Sequence, residues 1–150
     1  MQDHIAVLGT FVAEMAQNYF CQEYEIGCVF YTKERGDHEV VTNSPVQVGG
    51  KCQITLPWHE YPTAVGDYHN HPDDSGGYFS AGDIVAFGYY HTVFSFLSFK
   101  KEVMYVQMKD FTKRHQSILS QYYSFSPSVK RKYMKELKEA FEDNKKFLND

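Results

Sequence analysis

The chain has 150 residues, the size of one ordinary domain. Hydrophobic residues make up 43% and charged residues 23%, a balance that excludes wholesale disorder. The formal net charge of −4 provides no general basic field, so we expect no nucleic-acid partner. No apolar run approaches the roughly 18 residues of a membrane span, and the N-terminus lacks the basic start of a signal peptide. We therefore expect a soluble, cytoplasmic protein with no membrane partner.

The cysteines are too few and too far apart to build a site of their own. Cys21, Cys28 and Cys52 lack the short spacing of a cysteine metal site. Their odd number also argues against a disulfide scaffold. We expect free thiols in a reducing compartment.

Hydrophobic periodicity predicts the first elements. Apolar residues at intervals of three and four indicate an amphipathic first helix: Ile5, Leu8, Val12 and Met15. Residues 25–32 are rich in β-branched and aromatic side chains and predict a strand. Gly36 supplies a turn to a hairpin partner over 38–43, and a further strand is expected over 52–56.

The middle of the chain predicts a strand, a loop and a helix. The strand covers 64–71 and stops at Pro72, because the residue before a proline avoids helical geometry. After the loop, Ser80 fits a helix N-cap, and Asp83 stands three residues later as in a capping box. We expect this helix to end at residue 90 or 91.

The C-terminal part predicts a strand over 102–108 and a last helix from Ser126 to about Leu148. Four side chains of that helix are expected to face inward: Val129, Tyr133, Leu137 and Phe141. Its charged residues are typical of a solvated face. The irregular alternation predicts an α/β or α+β fold, with a mixed β-sheet flanked by helices. We expect a single domain over 1–150, with a C-terminal helical extension from about residue 109.

The end of the strand over 64–71 carries the most informative pattern. His69 and His71 are two residues apart, so both side chains project to one face of the strand. Asp83 lies in the first turn of the next helix, from which a carboxylate can point back to the strand end. Two imidazoles and one carboxylate are the protein ligands of many catalytic zinc sites. His69, His71 and Asp83 are therefore candidate ligands of one Zn²⁺ per chain.

A hydrolytic zinc site also needs a general base. Glu25 is the best-placed acid, because Gly27 two residues later permits a close approach beside it. Glu23 points to the same face if the strand begins earlier, and it remains a second candidate. Ser80 would donate a hydrogen bond to a developing oxyanion.

These residues resemble a known family. VGDYHNHP over 65–72, followed by SAGD over 80–83, resembles the signature of the JAMM metallopeptidases, also called MPN+ or JAB-type. Glu25 with Gly27 is similar to the strand glutamate and glycine of that family. The resemblance implies a JAB/MPN-like (cytidine-deaminase-like) fold and a zinc hydrolase that cleaves a peptide or isopeptide bond in a protein or peptide substrate. It implies these roles: His69, His71 and Asp83 as zinc ligands, Glu25 as general acid/base, and Ser80 as oxyanion stabiliser.

The pattern departs from the family in two ways. Eight residues separate His71 from Ser80, one more than is usual, and Asn70 replaces the common serine or threonine. The pattern is closest to bacterial JAB-type domains, including those of toxins and secreted effectors, so a domain cut from such an effector is one alternative. A non-catalytic MPN-type module that only binds a partner is the other.

Two neighbouring features have open roles. Asp67 shares a strand face with His69 and would orient that ring, but a surface or turn position is the expectation. The aromatic loop Trp58–Tyr61 is either a flap over the cleft or ordinary loop packing.

Overall fold

Seven β-strands form a single sheet in the computed structural model, which describes residues 4–18, 23–51, 53–72 and 76–148. The strands are β1 (Ile26–Arg35), β2 (His38–Asn43), β3 (Gln47–Val48), β4 (Ala64–Asn70), β5 (Phe94–Phe99), β6 (Glu102–Gln107) and β7 (Lys146–Phe147). The helices are α1 (His4–Asn18), α2 (Ala81–Tyr89), α3 (Lys113–Gln121) and α4 (Pro127–Asn144). The strand order is β2-β1-β4-β5-β6-β7, and β3 pairs with β1. No helix in the described ranges is long and apolar enough to cross a membrane.

Side chains of the central strands alternate between two hydrophobic layers, as the period of a strand requires. Phe94 and Phe96 of β5 pack against α1 on one face of the sheet. Leu97, the next residue, packs on the other face in a layer that includes Leu119 of α3 and Leu137 of α4. The predicted mixed sheet with flanking helices is confirmed at this level.

The connection from β4 through α2 to β5 positions the candidate site. β4 and β5 are parallel neighbours, whereas the other strand pairs of the described sheet are antiparallel. A parallel pair needs a crossover, and here α2 supplies it. The end of β4 and the start of α2 therefore lie close together, separated by a short loop.

The predicted strand over 52–56 is wrong. Residues 53–57 have no regular secondary structure, and Cys52 lies outside the described residues, as does Cys21. The place beside the start of β1 is occupied by β3, which pairs with Ile26 and Gly27. The Gly50 N–H donates to the Gln53 carbonyl at 2.7 Å, and the segment that follows packs Leu56 against Val29 of β1 without joining the sheet as a strand.

The C-terminal half differs from the prediction in several elements. β5 was not predicted, and α3 was expected only as part of a helical extension from about residue 109. The last helix ends at Asn144 because the following residues pair with β6 as β7. Val129 is exposed, not inward-facing, whereas Leu137 and Phe141 are buried. The Tyr122 hydroxyl donates to the Lys130 carbonyl at 3.1 Å, so the first turn of α4 packs on a short 3-10 helix over 122–124.

Candidate metal centre

Two buried imidazoles converge on one carboxylate at the end of β4. The Nε2 of His69 lies 3.0 Å from Asp83 Oδ1, and the Nε2 of His71 lies 3.1 Å from Asp83 Oδ2. Ligand atoms around a tetrahedral zinc ion with bonds of about 2.0–2.1 Å are separated by about 3.3 Å. The three side chains that the sequence predicts as ligands are thus in contact, and each of the two contacts has a length close to this separation.

The other ring nitrogen of each histidine faces an acceptor. The Nδ1 of His69 lies 3.3 Å from Asp67 Oδ2, and the Nδ1 of His71 lies 3.0 Å from the Gly76 carbonyl oxygen. Both contacts favour a proton on Nδ1, which leaves the lone pair of each neutral ring on Nε2. This is the tautomer that a metal-binding histidine needs.

The Nε2 of His69 is a buried polar atom without an aligned hydrogen bond. Its 3.0 Å contact with Asp83 is not aligned as a hydrogen bond, and the described residues provide it with no other partner. Buried polar atoms in folded proteins are almost always paired with protein, water or an ion. A cation between His69, His71 and Asp83 would satisfy this nitrogen, so the donor set fits a metal.

Asp83 is held in place by the start of α2. The Asp83 N–H donates to Ser80 Oγ at 3.1 Å, and the Ser80 N–H donates to Asp83 Oδ2 at 2.8 Å, so the predicted capping box is confirmed. The box fixes the carboxylate while it also faces the histidines. The extra residue between His71 and Ser80 does not separate Asp83 from the strand end.

Glu25 lies beside the histidines, immediately before β1. One carboxylate oxygen of Glu25 and one ring nitrogen each of His69 and His71 all lie within 4.8 Å of one another, and all three residues are buried. Within the described part of the chain, this group could hold a metal ion. Glu23, the second candidate, is exposed.

The backbone around Glu25 is anchored on two sides. The Glu25 N–H donates to the Gly50 carbonyl at 2.8 Å, and the Glu25 carbonyl accepts from the Gly49 N–H at 2.7 Å. On the other side, the Ile26 N–H donates to the Asn70 side-chain oxygen at 2.6 Å. Asn70 thus ties the start of β1 to the end of β4.

Gly27 permits the close approach that the sequence predicts. A Cβ added there would lie 2.5 Å from the Tyr68 carbonyl oxygen and 3.1 Å from the His69 Cβ. Only glycine lets β1 approach β4 this closely at the level of His69. The approach keeps Glu25 within reach of the histidines.

The surroundings move the pKa values of the two carboxylates in opposite directions. Burial raises the pKa of Glu25 above its usual value, although the neighbouring histidines oppose this shift. Burial would also raise the pKa of Asp83, but contacts with His69 and His71 outweigh it and hold that pKa well below its usual range. Divergent pKa values in one site are typical of residues with different roles.

The metal-free centre also stabilises a charged imidazole. Burial alone would lower the pKa of His69, but the carboxylates of Asp83 and Asp67 outweigh it and raise that pKa well above its usual value. A metal ion would replace this proton, because only the neutral ring binds metal.

The centre opens into a cleft of about 300 Å³. Glu25, His69, Ser80 and Asp83 lie among its lining residues. Trp58 forms part of the opposite wall, and its indole stacks on the Tyr90 ring with centroids 4.7 Å apart. Trp58 lines the cleft and is also buried against Val29 and Leu56, so its position fits both a flap and ordinary loop packing. Ser80 accepts one hydrogen bond through its oxygen and keeps its hydroxyl proton for a group in the cleft.

Two residues have larger roles than the sequence suggests. Asp67 is only 8% exposed and contacts His69, so the expected surface or turn position is wrong. The sequence signal for this contact was that Asp67 and His69 lie on the same face of the strand. In the sequence, Asn70 is only a departure from the family pattern, on the strand face opposite the histidines. Its bond to Ile26 depends on the pairing of β4 with β1, which a local pattern does not reveal.

Comparisons of the chain with protein-family models, with curated proteins and with solved structures found no match.

Proposed function

We propose that the protein is a zinc-dependent peptidase or isopeptidase of JAMM type, in which His69, His71 and Asp83 hold the metal. The observation that carries the proposal is the convergence of two buried Nε2 atoms on one ionised carboxylate, with each Nδ1 facing an acceptor. The resemblance in sequence and the central sheet with its flanking helices support it.

A bound zinc ion would supply Lewis acidity, which polarises a scissile carbonyl and acidifies water. Glu25 would accept the proton of the attacking water, because its raised pKa makes it a better base than an ordinary glutamate. Glu25 would then deliver that proton to the nitrogen of the leaving amine. Ser80, at the edge of the cleft, would donate its hydroxyl proton in a hydrogen bond to the carbonyl oxygen as charge develops there.

Asp67 and the Gly76 carbonyl would keep the two imidazoles oriented through the reaction. The substrate would enter as an extended chain, with polar groups of the cleft and the aromatic side chains of Trp58 and Tyr90 beside it. A peptide or the flexible tail of a folded protein has this shape.

The test is hydrolysis by zinc-loaded, chelator-treated and zinc-reloaded protein. The substrates are fluorogenic peptides and ubiquitin-like proteins joined through isopeptide bonds. We expect cleavage that disappears with the metal, returns with zinc and is lost in Glu25→Gln. Cleavage that persists without metal would contradict the proposal. A zinc-bound protein that cleaves none of the substrates would favour the binding module.

A further inference from the structure

A second concave surface adjoins the cleft on the far side of α2. We call it the tyrosine groove, a depression of about 520 Å³ between α2, the 122–124 helix and α4. Six of its lining residues carry the argument: Tyr89, Tyr90, Tyr122, Tyr123, Lys130 and Arg131. Tyr89 and Tyr123 are more than half exposed. Exposed tyrosines with an arginine are the composition of binding hot spots.

The groove is continuous with the candidate catalytic cleft. Gly82, Ala86 and Tyr90 line both. Gly82 is exposed, and a Cβ added there would meet only Ser80 Oγ, at 3.8 Å. A chain that lies across Ser80 can therefore pass over Gly82 into the groove without obstruction.

The charge of the groove is opposite to that of the rest of the chain. Residues 111–135 contain six lysines and arginines and no acidic residue, whereas the remainder has nine basic and nineteen acidic residues. Lys130 and Arg131 form no ion pair within the described residues, in contrast to Arg114, which is paired with Glu136 at 2.6 Å. The groove therefore presents two unpaired cations beside apolar rings.

The tyrosine rings are already packed against one another. The Tyr89 and Tyr123 centroids are 4.7 Å apart, and those of Tyr89 and Tyr90 are 4.9 Å apart. The Lys130 ammonium lies 5.4 Å from the Tyr123 centroid. Ring faces engaged in this way are poor platforms for nucleobases, and the acidic remainder of the chain repels a phosphate backbone. The exposed parts of Tyr89 and Tyr123 remain available to side chains of a peptide.

We infer that the tyrosine groove binds an acidic segment of the polypeptide substrate, with aliphatic or aromatic side chains against the tyrosines and carboxylates against Lys130 and Arg131. The inference rests on the proposed function, because it takes the occupant of the groove to be the chain whose bond lies in the cleft. The groove would fix the register of the substrate and select acidic sequences on one side of the scissile bond.

Fluorescence anisotropy with three labelled probes tests the inference. They are a peptide that alternates glutamate with leucine and phenylalanine and ends in two glycines, the same peptide with lysine for glutamate, and an oligouridine. The protein is the full zinc-loaded chain carrying Glu25→Gln, so that peptides are not consumed, with wild type as a parallel sample. We expect the acidic peptide to bind about tenfold more tightly than the lysine peptide, and more weakly as salt increases.

Two groove variants and one matched control locate the binding. We expect Tyr123→Ala to weaken binding of the acidic peptide about tenfold, and Arg131→Glu to weaken it about fivefold. Lys132→Glu makes the same charge change on the next residue of α4, which does not line the groove, and should change affinity less than about twofold. Circular dichroism checks that the exposed substitutions leave the fold intact.

Equal binding of the two peptides, equal effects of Arg131→Glu and Lys132→Glu, or tighter binding of the oligouridine would overturn the inference. The zinc content of each sample separates this failure from that of the proposed function. If the protein binds zinc and hydrolyses its substrates but shows no preference for the acidic peptide, only the inference about the groove is rejected. If the protein binds the acidic peptide through Tyr123 but holds no zinc, only the proposed function is rejected.

Discussion

The candidate metal centre and the tyrosine groove share a border at α2 but differ in which side chains they bury and which they expose. In the centre, polar groups are buried, and most have a fixed partner, as Asp83 has with Ser80 and the histidines. In the groove, large apolar rings and charges remain at the surface, and Tyr123 is 62% exposed. The centre resembles the interior of a protein, and the groove resembles half of an interface.

This contrast predicts how large the effect of a single substitution should be in each region. A buried polar group loses its partner completely when one side chain changes, so the expected effects are large and local. An exposed ring or cation contributes to binding only through the partner group that it contacts. Substitutions there should therefore reduce affinity by moderate factors that depend on salt concentration.

Glu25→Gln should cause the largest loss. Removing a positioned general base costs about 10²–10⁴-fold in turnover. Zinc content should stay at the wild-type level, because Glu25 is not among the three proposed ligands. Steady-state kinetics and metal analysis of the same sample check both parts.

Glu23→Gln is the matched control, since Glu23 is an exposed glutamate two residues away. It should leave turnover within about twofold of wild type, as most surface substitutions do. Full activity in Glu25→Gln with loss in Glu23→Gln would reverse the assignment of the base.

Ser80→Ala should reduce turnover through two separable losses. Losing an oxyanion donor costs about 10²-fold or more in kcat. Losing the N-cap of α2 costs about 1 kcal/mol in the free energy of unfolding. Kinetics and chemical denaturation separate the two. Ser126→Ala is the control, because Ser126 is the N-cap of α4 but makes no capping hydrogen bond through its side chain. Unchanged turnover in Ser80→Ala would remove Ser80 from the chemistry.

Asn70→Ala should destabilise the start of β1 and displace Glu25. It leaves the Ile26 N–H without its acceptor, and an unpaired buried amide costs about 1–3 kcal/mol. Turnover should fall while zinc remains bound. Asn43→Ala at the end of β2 also removes an asparagine hydrogen bond, here to the Ser44 carbonyl, and should spare turnover. Equal turnover in the two variants would show that Asn70 does not position the base.

The affinity for zinc should increase with pH. The raised pKa of His69 means that the metal-free fold retains a proton there above the usual value of 6.5. The stabilisation from this proton is fully present below 6.5 and is lost as the pH rises through the higher pKa of the folded protein. Zinc must displace the proton, so affinity should rise by up to about tenfold per pH unit in that window.

Competition with a chromophoric chelator at pH 6, 7 and 8 measures this slope. Asp67→Asn removes one of the carboxylates that raise the pKa of His69, and it should make the slope shallower. The same slope in Asp67→Asn and wild type would show that Asp67 does not hold the His69 proton.

Parts of the centre were predictable from the sequence because they depend on local geometry. Alternation along a strand places His69 and His71 on one face, and a capping box places Asp83 at the start of a helix. Local geometry does not give depth, so Asp67 was expected at the surface although it is buried. The role of Asn70 depends on the register of β1 against β4, which joins residues 44 positions apart.

The groove was not predictable from the same reasoning. Its residues come from 81–90 and 122–134, which meet only because α3 and α4 pack on the same face of the sheet as α2. The cations of α4 indicated a solvated face, as such residues usually do. The absence of acids over 111–135 was visible in the sequence, but its meaning depends on the exposed tyrosines that the fold places beside Lys130 and Arg131.

Metal analysis of the purified chain is the decisive test of the zinc site. Wild type, His69→Ala, Asp83→Ala and His38→Ala are compared, the last being an exposed histidine on the β1–β2 hairpin. We predict about one zinc per chain in wild type and His38→Ala, and loss of zinc in the other two, because three ligands are the usual protein contribution to such a site. Folded wild type that takes up no zinc when zinc is supplied, or that holds iron instead, would contradict the account.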